Sequence, residues 1–377
     1  MAGESFGAYI YSVRTFSTGH KTPTRFTMSV TSTAGKAPRA KPDWYKMTAK
    51  YERPSTGRAV WQIANSLLPY LGLWALMVVM VHRGVSYWFT LAASILAAGF
   101  LVRVFILFHD CCHGSLFASC RANAIVGYIT GTLVFTPFDE WRRLHLAHHA
   151  TVGDLNRRGQ GDIWTMTVEE YLAAPRLRRL AYRIVRNPVL MLGVGPAVIF
   201  LVADRFTSKG AKGADRRSVI LTDLGIIAII LLTSATMGFG TYVLIQLPII
   251  LIGGAMGIWL FYVQHQFEKT YWASHEEWDP IEAALLGSSY YKLPKVLQWF
   301  SGNIGLHHIH HIRPRIPNHT LQRCYDEVPE LRNVEPITLP KSFRSLWLHL
   351  WDEQQQRMVT FWSIRKRRRQ RALVQAG

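Results

Sequence analysis

Four long apolar runs constrain this chain more than any other feature. They cover residues 63–81, 87–108, 218–235 and 241–263. A helix of about 20 apolar residues crosses a bilayer. Backbone in lipid must satisfy its own polar groups, so each run is expected to be a helix. The first two are joined by His82-Arg83-Gly84-Val85-Ser86 and the last two by the uncharged Met237-Gly238-Phe239-Gly240. Each pair takes the chain across and back. Two further runs, 122–138 and 188–203, are short and broken by Gly127, Gly131 and Pro137, and by Gly193, Gly195 and Pro196. They read as interfacial or re-entrant helices.

Charge gives the orientation. The 377 residues carry a formal net charge of +19. Such a balance can mark a nucleic-acid partner. Here the Lys and Arg flank apolar runs and interrupt no nucleic-acid motif, so none is expected. Loops 139–186 and 204–217 and the C-terminal end are basic, whereas the connections after the first and third runs carry almost no Lys or Arg. The positive-inside rule puts the basic loops and both termini in the cytoplasm. Cys111, Cys112, Cys120 and Cys324 lack disulfide or CxxC spacing and are expected to be reduced. Residues 1–55 read as a flexible tail, rich in Ser, Thr, Gly, Lys and Arg. A cleaved targeting peptide, or a true start at Met28, are the alternatives there. Residues 56–360 form the main unit, and 361–377 a basic tail that holds Arg365-Lys366-Arg367-Arg368-Arg369.

Of 15 histidines, eight fall into three tight patterns: His109 and His113; His145, His148 and His149; His307, His310 and His311. On a helix, positions i, i+3 and i+4 share a face. Neutral imidazole is the commonest side-chain ligand of Fe, Zn, Cu and Ni. One ion cannot use eight imidazoles, so the count implies two. All three clusters must then lie on one side of the membrane, which an even number of spans between them allows. A helix from Tyr87 to His109 rises about 33 Å against a hydrocarbon core of about 30 Å. His109 therefore emerges just past the lipid. The helix from Thr241 delivers His265 to the same depth and makes it a ninth candidate. His308 lies off its cluster's face by about 100° and is expected to pack behind the others. A ligating histidine usually donates its other N–H to a carboxylate or carbonyl. Asp110, Asp139, Glu140, Asp162, Glu268 and Asn303 are candidates for that role, each with a helix cap or surface charge as the plain alternative.

Any one cluster could be a chance surface patch, but three in one membrane chain argue against chance. A metal transporter would carry ionisable residues inside its spans, and these spans hold very few. Without thiolate spacing a structural zinc site is not expected. A nitrogen-rich site for two metals suits iron and oxygen chemistry. The Glu-x-x-His pairs of soluble di-iron bundles are absent.

The three clusters in this order, the run His109-Asp110-Cys111-Cys112-His113-Gly114-Ser115 and the run from Gly302-Asn303-Ile304-Gly305 through His311 resemble the membrane fatty acid desaturases. Gly161-Asp162-Ile163-Trp164-Thr165, Ser288-Ser289-Tyr290-Tyr291 and Arg315-Ile316-Pro317-Asn318 are similar to the bacterial acyl-lipid branch of omega-6 (delta-12) type. The resemblance covers roughly residues 55–360. It implies an all-α integral membrane enzyme with four spans, interfacial helices and a cytosolic, histidine-rich cap around two irons. It implies one further histidine ligand upstream of the third cluster, a role that His265 fits. Some relatives carry asparagine one turn before that histidine, where this chain has Phe261.

The family reaction uses O2 and two electrons to take hydrogen from two adjacent methylenes, leaving a cis double bond and water. The implied substrate is an acyl chain of a membrane lipid, at a bacterial inner membrane. A hydroxylase on the same scaffold is the rival. Neither a Gly-x-Gly-x-x-Gly turn nor a His-Pro-Gly-Gly signature is present. The electrons are therefore expected from a separate carrier, ferredoxin or a b-type cytochrome, docking on the basic cytosolic face.

Overall fold

The computed structural model describes residues 41–159 and 161–365. Residues 1–40 of the expected N-terminal tail, and the basic end from Lys366, lie outside the described residues. Among the helices of the described residues, these organise the fold: α1 (Thr56–His82), α2 (Tyr87–His113), α3 (Cys120–Leu133), α4 (Phe138–Thr151), α5 (Arg176–Val185), α6 (Gly213–Met237), α7 (Phe239–His265), α8 (His307–Ile312) and α9 (Asn318–Glu327). Helices α1, α2, α6 and α7 are long and apolar enough to cross a membrane. The chain is a membrane protein.

Each spanning helix runs beyond its apolar stretch. With 27 residues, α2 and α7 are each about 40 Å long, against roughly 30 Å of hydrocarbon. The surplus turns end in His113 and His265. Helix α2 is the hub. It packs against α1, α3 and α7, and its residues from Leu101 to His113 are buried apart from Phe105. Glycines let neighbours come close, as membrane helices require. A Cβ on Gly253 would meet Leu101 at 3.3 Å, and one on Gly254 would meet Phe200 at 2.8 Å. Helix α2 stops because Gly114 adopts a left-handed conformation at φ 65°, and Ser115 N–H closes back on the Asp110 carbonyl at 2.9 Å. That turn accounts for the Gly114-Ser115 pair.

Neither short apolar run forms a straight span. The first becomes α3, a reversal with Phe135 at φ 60°, and the start of α4. The second becomes two π-helical stretches, Leu190–Val194 and Ala197–Val202. They form one arm of a pair bent by 61° against α5. Asn187 and Pro188 make the bend. The Asn187 side chain accepts from Val189 N–H at 3.0 Å and Leu190 N–H at 3.1 Å, and Pro188 suits the first position of a helix.

Two small sheets tie distant loops across the histidine end. Strand β1 (Met166–Thr167) runs parallel to β4 (Leu350–Asp352), which pairs antiparallel with β5 (Arg357–Val359). Strand β2 (Tyr290–Lys292) runs parallel to β3 (Pro336–Thr338). Residues 43–51 differ from the expected tail. They form helical turns, and Tyr51 is buried against Leu306, Ile309 and Leu321. Its hydroxyl donates to Glu327 at 2.7 Å. Composition marks this stretch as flexible tail, yet Thr48 is buried too, and Arg313 donates to Thr48 Oγ1 at 3.1 Å and to the Tyr45 carbonyl at 3.2 Å.

The run Gly302-Asn303-Ile304-Gly305 is the turn that feeds α8. Gly302 and Asn303 have φ of 52° and 61°. A Cβ on Gly305 would sit 2.3 Å from the Tyr291 carbonyl oxygen. Overpacking against rigid backbone costs about 1–3 kcal/mol. Gly305→Ala is therefore expected to lower the thermal unfolding midpoint of the detergent-solubilised protein. Gly72→Ala, on α1 with nothing within 4 Å of a new Cβ, should leave it unchanged or raise it. Equal midpoints for the two variants would contradict this reading.

Candidate metal centre

Nine histidines converge from four helices at one end of the spans. Five of them, His109, His113, His145, His149 and His310, place ring nitrogens within 4.8 Å of one another, and so do His148, His265, His307 and His311. The first group draws on α2, α4 and α8, and the second on α4, α7 and α8. Each short helix serves both. On α4, His145 and His149 join the first group and His148 the second. On α8, His310 joins the first and His307 and His311 the second.

The nitrogens stand at the spacing of a ligand shell. His149 Nε2 lies 3.1 Å from His145 Nε2 and 3.0 Å from His310 Nε2. His265 Nε2 lies 2.9 Å from His307 Nε2, which lies 3.1 Å from His311 Nε2. At a metal–nitrogen distance of about 2.1 Å, adjacent ligands of an octahedron stand about 3.0 Å apart.

Proton placement sharpens the point. The Gly287 carbonyl lies 3.1 Å from His265 Nδ1. A carbonyl can only accept, so the His265 proton sits on Nδ1. The Asp162 carboxylate bonds His148 Nδ1 and fixes the same tautomer there. Both Nε2 atoms then carry bare lone pairs, 3.2 Å apart. Two opposed lone pairs in a buried site repel, and a cation between them removes the conflict. His109 Nε2 and His113 Nε2 are also buried without a hydrogen-bond partner. Burial holds His145, His149, His307, His310 and His311 well below the ordinary imidazole range, with neighbouring histidines adding to it. They are neutral at pH 7, the form that binds a metal.

The other candidates separate by position. Asp162 touches His148 directly. It is aimed by Gly161, at φ +77° and so close to α4 that a Cβ would sit 2.8 Å from the Leu144 carbonyl oxygen. Asp110 Oδ1 lies 3.6 Å from His109 Nδ1. Its Oδ2 accepts from Asn318 N–H at 2.9 Å and from the Asn318 amide at 2.8 Å. Asn318 accepts in turn from Gln62 of α1 at 2.7 Å. Asp139 and Glu140 occupy the first turn of α4, where negative charge is favoured. Asp139 accepts from the Tyr128 hydroxyl at 2.6 Å, and Glu140 from Arg143 at 2.8 Å.

Asn303 donates to the Asn318 carbonyl at 3.1 Å. Glu268 pairs with Arg344 at 3.0 Å and Arg357 at 3.4 Å. His308 bonds the Leu331 carbonyl at 3.0 Å, and burial pulls it down to about 4. These three lie with the cap and not with the converging nitrogens. Sequence reasoning missed Gly287, whose backbone carbonyl has no residue signature. It also missed Trp141, which stacks on His145 with ring centres 4.2 Å apart and lies at helical spacing i, i+4. Phe261 packs against His148 and His265, with ring centres 5.2 and 5.0 Å away.

A cavity of about 480 Å³ reaches both groups, touching His109 and His145 of one and His307 of the other. Its remaining walls are mainly apolar, with Leu101, Phe105, Ile250, Ile258 and Phe261 among them. The size falls within the ordinary range for a ligand pocket, about 300–1,000 Å³.

Comparison with known proteins agrees with this arrangement. Residues 86–337 match the model of the family described as fatty acid desaturase. The chain is 46% identical over 320 residues to a fatty acid desaturase of Bacillus subtilis, covering 85% of this chain and 90% of that protein. It is 26% identical over 314 residues to the sn-1 oleoyl-lipid 12-desaturase of Synechocystis, covering 76% and 83%. It is 25% identical over 236 residues to an endoplasmic-reticulum omega-3 fatty acid desaturase of Vigna radiata, covering 58% and 59%. The chain belongs to the fatty acid desaturase family.

Proposed function

We propose that this protein introduces a cis double bond, of delta-12 (omega-6) type, into an acyl chain of a membrane lipid. The observation that carries this reading is the apolar cavity ending on histidines of both nitrogen groups. An unactivated methylene offers no acidic proton, so a side-chain base has nothing to take. Two irons, one in each histidine group, would supply with O2 and two electrons the oxidising power to remove two hydrogens, yielding the alkene and water.

The chain's own residues bind and orient. Leu101, Phe105 and Ile250 offer the acyl chain an apolar wall. Trp141 and Phe261 hold the rings of His145, His148 and His265 in place. Asp162 and the Gly287 carbonyl keep protons on Nδ1, so that Nε2 remains the donor to metal. Burial keeps bulk water from the reacting carbons. We place the histidine end in the cytoplasm of a bacterial cell, on the inner membrane, from the charge of its loops. The electron donor is an acidic carrier, ferredoxin or a b-type cytochrome, met by the basic residues of that face.

Expression in a host that makes no polyunsaturated lipids, followed by mass spectrometry of its fatty acids, tests the reading. A second double bond at the delta-12 position is expected. A hydroxylated product in its place would refute desaturation. His148→Ala should abolish activity and lower bound iron.

Asp162→Asn should weaken metal affinity or activity about 10–100-fold, the usual effect of losing the group that orients a ligating histidine. Glu268→Gln, at the Arg344 and Arg357 ion pairs, should keep full iron content. Iron measured in the purified variants decides. Equal loss in Asp162→Asn and Glu268→Gln would break the assignment of Asp162.

A further inference from the structure

The cavity has one exposed rim. Of the residues that line it, Ile184, Leu190 and Val194 are exposed, at 41%, 40% and 50%. All three belong to the bent pair formed by α5 and the π-helical arm. The lining residues on the histidine side, including Asp162, Tyr262, Gln264 and Ile304, are buried. Among the described residues the rim is therefore apolar. Opposite it stands Gly257 of α7, which lines the cavity and has nothing within 4 Å of where a Cβ would sit. Gly257 marks open space. Next to it the two walls touch, for a Cβ on Gly195 would meet the end of Ile258 at 3.5 Å.

The bent pair also carries the signature of a membrane surface. On α5, Leu177, Leu180 and Ile184 recur at i, i+3 and i+7, all exposed. An exposed apolar stripe on a soluble face would be costly, but a helix lying at the lipid boundary buries it among acyl chains. Arg176 and Arg178 are exposed on either side of that stripe, at the height where lipid phosphates lie. Ile184 belongs to both the stripe and the cavity rim.

We infer that the slit between the bent pair and α7 is a lateral portal, through which one acyl chain of a bilayer phospholipid enters the cavity while its phosphate stays at the membrane surface beside Arg176 and Arg178. The inference rests on the acyl-lipid reading above and names its substrate as an intact phospholipid drawn from the bilayer. An acyl thioester delivered from the aqueous side would not use this route. π-Helical backbone is rare and recurs at functional sites, which suits an arm that must part from α7 to admit a chain.

The test uses the iron-loaded enzyme in phosphatidylcholine vesicles containing phosphatidylglycerol. The probe is a phosphatidylcholine with a diazirine at the end of one acyl chain. After photolysis, label is expected on Leu101 and Ile250, which are buried cavity walls. In Gly257→Phe, which fills the slit, that label should be lost. Label on Leu177 and Val189, exposed at 78% and 76% and outside the cavity, should persist. Retention of iron and of that peripheral label shows that the variant is folded.

If Gly257→Phe loses its iron, a Gly195→Cys, Ile258→Cys pair in a Cys120→Ser background replaces it. Oxidation should then remove the inner label and reduction restore it. Undiminished label on Leu101 in a closed, folded variant overturns the portal. So does inner labelling by a diazirine-bearing acyl-coenzyme A in preference to the phospholipid. Product analysis separates this from the desaturase reading. A double bond formed equally fast with the slit filled leaves the desaturase reading standing and removes the portal. Inner label that the slit variants abolish, with no double bond in the open enzyme, does the reverse.

Discussion

Two nitrogen lone pairs aimed at each other set the terms for the rest of this structure. His148 and His265 face one another through Nε2 at 3.2 Å, in a buried site where no water can come between them. Each is held in that posture from behind, His148 by Asp162 and His265 by the Gly287 carbonyl. Without a cation the arrangement is repulsive. With one it is a pair of ligands whose tautomers are already chosen. Much of the cap serves this posture. Gly161 lets the loop carrying Asp162 press against α4. Gly287, near the end of the cap's loop, turns its carbonyl inward. The spans then need only deliver α2 and α7 to one height, which their equal lengths of 27 residues do.

The division of the histidines between two groups follows from helix geometry. At about 100° per residue, positions i and i+4 lie about 40° apart and i+3 lies about 60° to the other side of i. A helix lying between two ions can thus give i and i+4 to one and i+3 to the other. Helix α4 does this in one sense and α8 in the opposite sense. Helix α2 adds its own i, i+4 pair to the first group, whereas α7 adds only His265 to the second. The five-to-four imbalance therefore comes from the lone histidine of α7. One turn before it stands Phe261, an apolar ring that packs on His148 and His265 and borders the cavity.

Most of this was legible in the sequence because two periodicities carry it. Apolar run length located the spans, and their ends moved outward only by the turns that project from the lipid. Histidine spacing located eight of the nine imidazoles, and helix length placed the ninth, His265, level with His109. What the sequence concealed depends on contacts without residue signatures. The Gly287 carbonyl is backbone. The docking of residues 43–51 rests on Tyr51 packing against Leu306 and Ile309 and on Arg313 bonding Thr48 and Tyr45, all contacts more than 250 positions apart in sequence. Among the acidic candidates, sequence could not separate Asp162, which bonds His148, from Glu268, which faces Arg344 and Arg357. Both are acids near histidines, and only the folded loops distinguish them. Helix α5 was hidden in a stretch that composition marked as a basic loop. Its stripe of Leu177, Leu180 and Ile184 is too short to stand out among four arginines.

The same apolar wall answers two demands that would otherwise conflict. Nitrogen ligands must be neutral to bind a metal, and burial keeps them so. An acyl chain must leave lipid without meeting water, and an apolar passage allows that. A cavity running from the exposed rim at Val194 to His109 and His307 satisfies both at once. It desolvates the imidazoles on one side and solvates methylenes on the other. A polar channel would hydrate the imidazoles and exclude the chain. The histidines stand at the end of membrane helices, where the apolar cavity that desolvates them is continuous with the exposed rim at Ile184, Leu190 and Val194.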